Sequence, residues 1–129
     1  MNKLIGLAAG ATLALSSSAF AFTPMYLTTH NNTSVESNAW VNGQPSPYPT
    51  KPNSTKQVVW GLVQLACAPI IVNGTCSADV KMETNTAHPV TLGRLTMDLR
   101  SGVITPAVVA ANGYRLTVNG PGEVTLTKD

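Results

Sequence analysis

The chain has 129 residues, of which only 11% are charged, with eight Lys or Arg against six Asp or Glu. The charges are scattered singly, so the sequence lacks the basic stripe of a nucleic-acid-binding protein. No segment after the N-terminal one approaches the roughly 20 apolar residues of a membrane span. We therefore expect no nucleic-acid partner and no membrane span in the mature chain.

The N-terminal segment has the pattern of an export signal. Lys3 provides a short positive region, residues 4–15 are apolar or small, and residues 19–21 (AFA) have the A-x-A form of a signal-peptidase site. We expect residues 1–21 to be a cleaved secretory signal, of a style typical of bacteria. The protein would then be periplasmic or extracellular, with residues 22–129 forming a single all-β domain.

The first half of the mature chain predicts two strands and a long loop. We expect strands at residues 25–29 and 39–41, followed by a proline-rich loop at residues 44–54 (QPSPYPTKPNS). Residues 55–66 are ambiguous: Val58 and Trp60 fit a strand, whereas Trp60, Val63 and either Ala66 or Cys67 also fit one helical face. We favour a strand that ends in a helical turn.

The second half shows the apolar and polar alternation of half-buried strands. Strands are predicted at residues 78–82, 90–99, 103–110, 114–118 and 124–126. The alternation changes phase at Gly93, which predicts a β-bulge there. Pro106 interrupts its strand and predicts an edge or a bend.

Turn signals set the expected fold class. Four Asn-Gly pairs begin at residues 42, 73, 112 and 119, and such pairs suit type I′ turns because both central residues need positive φ. About seven or eight short, mostly antiparallel strands predict an all-β protein, either a small β-sandwich or a small barrel. The sequence does not separate these two architectures.

The two cysteines, Cys67 and Cys76, are expected to form one disulfide because the chain is exported. A tight hairpin at Asn73-Gly74, extended as a ladder, would place Cys67 roughly 13 Å too far along its strand. We therefore predict that the disulfide excludes the hairpin and that Asn73-Gly74 is only a bend. In this interpretation Cys67 ends one strand and Cys76 begins the next.

Candidate catalytic and metal-binding residues are few. His30 and His88 are the two imidazoles, and both are predicted in solvated turns. No nucleophile elbow, zinc, phosphate-loop or calcium-loop motif occurs in the sequence. We expect no cofactor and no metal, and an enzyme is the least favoured class. The Asn-x-Ser/Thr triplets at Asn31, Asn32, Asn53 and Asn73 are interpreted as turn composition.

The favoured function is a non-catalytic binding module whose partner is a protein or a cell-surface ligand. Two loops, residues 44–54 and 67–76, would make the contacts. The candidate contact residues are Pro47, Tyr48, Pro49, Ile70, Ile71 and Trp40, although Trp40 and Trp60 are most simply core residues. The alternative is a structural subunit joined by strand addition, with residues 25–29 as the donor. The oligomeric state is left open.

Overall fold

A computed structural model of the chain describes residues 22–129, so the predicted signal at residues 1–21 lies outside the described residues. The elements in chain order are β1 (Tyr26–Asn31), β2 (Ser37–Val41), β3 (Gln44–Pro45), β4 (Ser54–Val59), α1 (Trp60–Cys67), a 3-10 turn (Ala68–Ile70), β5 (Thr75–Met82), β6 (Val90–Asp98), β7 (Ile104–Thr105), β8 (Val108–Ala111), β9 (Tyr114–Gly120) and β10 (Glu123–Lys128). Within this part of the chain, no helix is long and apolar enough to cross a bilayer.

The strands form two five-stranded sheets. Sheet I has the order β4-β1-β10-β9-β8, and sheet II has the order β3-β2-β5-β6-β7. Strand pairs are antiparallel except β1 with β10, which run parallel. The all-β prediction is confirmed, and because the two sheets do not close into a barrel, the sandwich is the correct one of the two architectures that the sequence left open.

The core lies between the inner faces of the two sheets. Because side chains alternate along a strand, every second residue points inward. The main cluster consists of Met82, Leu92, Leu95, Ile104, Tyr114, Leu116, Val124 and Leu126. The alternation read from the sequence of β9 and β10 therefore marked the buried face correctly.

The sheets approach closely on the side formed by β6 and β8. The pairing of β5 with β6 shifts by one residue there: Val80 opposes Gly93, whereas Lys81 opposes Thr91. This confirms the predicted bulge. A Cβ added to Gly93 would lie 3.1 Å from the Cβ of Val109 on β8. Glycine thus lets the two sheets meet on this side.

Residues 103–110 form two edge strands and not one. β7 ends at Thr105 on the edge of sheet II, and β8 begins at Val108 on the edge of sheet I. Pro106 lies between them, where no ladder donor is required. The predicted bend is confirmed, but the chain also changes sheets at this point.

Helix α1 replaces the second half of the strand expected over residues 55–66. β4 ends at Val59, and the buried residues of α1 are Trp60, Val63 and Cys67. Trp60 is 4% exposed, and its indole Nε1 donates a hydrogen bond to the Leu99 carbonyl at 3.0 Å. The helical face considered from the sequence is therefore the correct interpretation from residue 60 onward.

Cys67 and Cys76 form the predicted disulfide, with Cα atoms 5.8 Å apart. The expectation that Asn73-Gly74 is only a bend is wrong, although Val72 and Thr75 form an isolated pair and not the extended ladder that the disulfide was expected to exclude. Val72 and Thr75 exchange backbone hydrogen bonds of 3.1 and 3.0 Å around Asn73-Gly74. Both coexist because Cys67 ends a helix and not a strand, and the 3-10 turn that follows brings the chain back toward Cys76.

Three of the four Asn-Gly pairs are turns with positive φ at both residues, and these begin at Asn42, Asn73 and Asn112. The fourth pair, Asn119-Gly120, is the end of β9. The reversal between β9 and β10 occurs one step later, where Gly122 has a φ of 65°.

Candidate functional site

An apolar cavity of about 160 Å³ lies between the inner faces of the two sheets. It is on the side opposite the close contact of β6 with β8. The larger aliphatic residues that line it are Leu27, Val41, Val58, Leu62, Val63, Val80, Leu95, Ile104, Leu116, Val124 and Leu126. An engineered protein cavity of about 150 Å³ with similar walls binds benzene, so this cavity is large enough to hold a small ligand.

The cavity opens between β4, α1 and the loop after β3. We define its mouth as five of the lining residues that keep solvent exposure on these segments: Pro47, Tyr48, Lys56, Leu62 and Ala66. The inner end is closed by Leu116 and Leu126, which are 1% and 0% exposed. Solvent therefore reaches the cavity from one side of the sandwich.

Polar lining residues are confined to the half of the cavity near the mouth. They are Thr29, Ser37, Asn38, Ser46, Tyr48, Thr50 and Lys56, from β1, β2, β4 and the loop between β3 and β4. The lining residues contributed by β6, β7, β9 and β10 are all apolar. The cavity thus has a polar entrance and an apolar interior.

Lys56 is the one charged residue that lines the cavity in the described part of the chain. Its Nζ lies 5.9 Å from the centre of the Tyr48 ring, within the range of a cation–π contact. Among residues 22–129 it forms no salt bridge. A half-buried cation therefore faces the entrance with an aromatic ring as its neighbour.

Asn31 holds the loop that forms the mouth. Its side chain is fully buried, and Nδ2 donates hydrogen bonds to the carbonyls of Val35, Thr50 and Lys51 at 2.8, 3.3 and 3.1 Å. Its Oδ1 accepts from the backbone N–H and the hydroxyl of Thr33. One amide thereby joins the end of β1 to two loops, a role that the interpretation as turn composition missed.

The disulfide forms part of the cavity wall. Cys67 on α1 and Cys76 on β5 both line the cavity, and they are 3% and 4% exposed. They belong to a second core cluster with Trp60, Val63 and Leu99. The bridge therefore fixes α1 against sheet II at one end of the cavity.

A shallow depression lies on the outer face of sheet II. Its lining includes Trp40, Ile70, Val72 and the ion pair of Asp79 with Arg94, whose atoms are 3.2 Å apart. The Trp40 ring is half-buried, with the Lys81 Nζ 4.6 Å from its centre. Trp40 and Tyr48 therefore belong to separate surfaces, and Trp40 is not the core residue that we expected.

His30 does not lie in a solvated turn, as predicted, but within β1. Its Nε2 is 2.6 Å from Glu123 Oε2, and its Nδ1 is 3.0 Å from Thr55 Oγ1. This row of three side chains crosses sheet I on its outer face, because their neighbours Lys56 and Val124 line the cavity on the inner face. His30 lines neither the cavity between the sheets nor the depression on the outer face of sheet II.

Two groups with shifted pKa values lie away from the cavity. Hydrogen bonds from the backbone and hydroxyl of Ser101 lower the pKa of Asp98 below its usual value. The hydrogen bond to Glu83 raises the pKa of Tyr114. Both groups stabilise turns or strand ends, and neither contributes to the lining.

Comparison with known proteins gives the chain its family. Residues 1–129 match the family model described as T2SS substrate NttC. The chain belongs to the NttC family. The crystal structure of the Legionella pneumophila type II secretion system substrate NttC is similar, with 55% identity, a TM-score of 0.80, and coverage of 82% of this chain and 99% of that chain. A comparison with curated proteins found no match.

Membership of the NttC family confirms the prediction that the chain is exported, since the family is described as substrates of a secretion system. The disulfide agrees with an oxidising compartment. The β-sandwich is also shared with the solved NttC structure, which covers most of this chain.

The contact residues predicted from the sequence of this NttC-family chain fall into two groups. Pro47 and Tyr48 lie at the mouth of the cavity, and Pro49 is next to them in the loop. Ile70 and Trp40 line the outer depression, and Ile71 is exposed beside it. Lys56 and the aliphatic lining were not singled out, because only the stacking of the two sheets brings them around one space.

Strand donation by residues 25–29 is not favoured by the topology. β1 lies between β4 and β10 and pairs with both of them. Its release would break two ladders in the middle of sheet I. We therefore do not propose a fibre subunit joined through β1.

Proposed function

We propose that this exported protein is a non-catalytic binding module that holds a small apolar ligand between its two sheets. The proposal rests on the cavity of about 160 Å³, which has aliphatic walls and one exposed mouth. Small-molecule sites are typically concave and mostly apolar, with a few polar groups that orient the ligand. One of the two loops predicted to contact a partner, residues 44–54, contributes Pro47 and Tyr48 to the mouth of this cavity.

A non-catalytic role is supported by the chemistry of the lining. The cavity contains hydroxyl, amide and ammonium groups but no histidine or carboxylate within the described residues. General acid–base catalysis most often uses a histidine or a carboxylate, and the other lining groups of a type that can serve, Tyr48 and Lys56, lie at the mouth. His30 and Glu123 lie on the other face of sheet I and cannot serve a ligand in the cavity.

Substitution Ala78→Leu tests the site. Ala78 lines the cavity from β5, so the three carbon atoms that leucine adds beyond Cβ would occupy the ligand's space. We expect loss of ligand binding and a free energy of unfolding raised by about 0.5–2 kcal/mol, the usual gain from filling a cavity. The measurements are urea unfolding and methyl NMR titration with hexane.

In the NMR titration, hexane should shift the methyl signals of Leu116 and Leu126 in the wild-type protein and leave exposed Val103 unchanged. Ala110→Leu is the matched control, because Ala110 is exposed on β8 outside the cavity; it should bind hexane normally. Ala39→Leu is a second filling variant. Absence of saturable shifts at Leu116 and Leu126 would show that no apolar ligand enters.

A second candidate surface is favoured by the exposure of two apolar residues in the loop that the Cys67–Cys76 disulfide closes. Ile71 and Val72 are 45% and 64% exposed beside Trp40, as an apolar protein contact requires. A photoreactive residue placed at Val72 should crosslink a protein partner in the producer's culture medium. The same residue at exposed Asn85 is the control, and equal yields from both positions would argue against a contact at the tip.

A further inference from the structure

We propose that the ligand is an anionic single-chain amphiphile, with its acyl chain inside the cavity and its carboxylate at Lys56. This inference rests on the proposed function, which requires only that some apolar ligand enters. It adds two independent claims about the shape of the apolar part and the charge of the polar end. The polarity and length of the cavity carry the argument.

The length of the cavity favours a ligand with an extended alkyl chain. Val58, Leu27, Leu126 and Leu116 line it from four neighbouring strands of sheet I. At about 4.8 Å between strands, the lining extends for about 14 Å across the sandwich. A volume close to that of a benzene-binding cavity, spread over that length, gives a narrow space that suits an extended alkyl chain better than a ring.

The distribution of polar groups in the lining sets the orientation of the bound acyl chain. The half of the cavity formed by β6, β7, β9 and β10 offers no polar partner, so a polar group buried there would lose its hydrogen bonds. The half near the mouth offers the side chains of Thr29, Tyr48 and Lys56. An amphiphile therefore enters tail first and leaves its head at the mouth.

Lys56 sets the charge of the head. It is half-buried and lines the mouth, and no carboxylate among residues 22–129 pairs with it. A carboxylate at this point would form a charge-assisted hydrogen bond, which is about twice as strong as a neutral one. A cationic head would instead meet a like charge at close range.

The experiment compares ligands with one tail and different heads. Decanoate, decanol and decyltrimethylammonium, each below its aggregation concentration, are titrated into the mature protein by isothermal calorimetry. We expect decanoate to bind tightest, decanol about tenfold weaker and decyltrimethylammonium weakest. Butyrate, with the same head and a short chain, should bind at least tenfold more weakly than decanoate.

Lys56→Gln should weaken decanoate about tenfold and leave decanol unchanged, because only the ion pair is removed. Lys51→Gln is the matched control: Lys51 is exposed and does not line the cavity. Higher salt should weaken decanoate binding in the wild-type protein more than in the Lys56→Gln variant.

The outcomes separate the two proposals. Equal affinity for decanoate and decanol, or no effect of Lys56→Gln, would overturn the anionic head while hexane binding still supports the cavity site. Binding of benzene without binding of any decyl ligand would overturn the claim that the apolar part of the ligand is an extended acyl chain. Failure of hexane, benzene and all decyl ligands to bind would overturn the proposed function itself.

Discussion

Substitution Asn31→Asp should destabilise the protein by roughly 3–5 kcal/mol at neutral pH, the cost typical of an uncompensated buried charge. The new carboxylate would face the carbonyls of Val35, Thr50 and Lys51, which now accept hydrogen bonds from Nδ2. Each of the three carbonyls would lose one of its two donors, and a fully buried site would gain a negative charge. Urea unfolding followed by tryptophan fluorescence measures the loss.

Asn32→Asp is the control for this prediction. Asn32 is the next residue and is exposed, and only its backbone N–H is used, in a bond to the Leu126 carbonyl at 2.9 Å. We expect a change within about 0.5 kcal/mol for this surface position. Similar unfolding midpoints for both variants would contradict the role given to the Asn31 amide.

The Asn31→Asp variant should also bind decanoate less well under conditions where it remains folded. The two hydrogen bonds to Thr50 and Lys51 help to hold the loop of the mouth, and Pro47 and Tyr48 precede these residues in the same loop. Binding that stays at the wild-type level would show that the mouth keeps its shape without the amide.

The double substitution of Cys67 and Cys76 by alanine should lower the free energy of unfolding by roughly 2–3 kcal/mol. The bridge closes a short loop, with a sequence separation of nine residues, and the chain-entropy model gives this range for such a loop. The loss of two buried sulfur atoms from the cluster around Trp60 adds to the cost. Denaturant unfolding of the oxidised wild-type protein provides the reference.

Addition of dithiothreitol gives the matched control. The reductant should move the wild-type unfolding midpoint toward that of the double variant and leave the double variant unchanged. Hydrogen exchange should also accelerate in α1, because the helix has no side-chain cap and is held at its C-terminal end by the bridge. Equal stability of the oxidised wild-type protein and the double variant would contradict the prediction.

Local signals in the sequence were sufficient for much of the fold. Asn-Gly pairs imposed positive φ at three turns, because this preference depends on the two residues alone. The alternation of Leu116 and Val118 with polar neighbours identified a buried face. The phase change at Gly93 located the bulge, and export together with the cysteine count predicted the disulfide.

The same local reasoning was wrong where a contact distant in sequence decided the outcome. The end of β4 and the start of α1 depend on the burial of Trp60 under Leu99, 39 residues away in the chain. That helical start in turn let the disulfide coexist with the turn at Asn73-Gly74. A register argument that assumed a strand at Cys67 could not reach this result.

The sequence by itself determined an exported β-protein with one disulfide, its turns and the inward face of its later strands, since these follow from neighbouring residues and composition. Only the tertiary structure decided that β1 lies parallel to β10, that Asn31 is buried and that His30 contacts Glu123. It also decided the cavity, because Lys56, Tyr48 and Leu116 are brought around one space by the packing of two sheets. Side chains far apart in the chain become one site through that packing, and no local pattern encodes it.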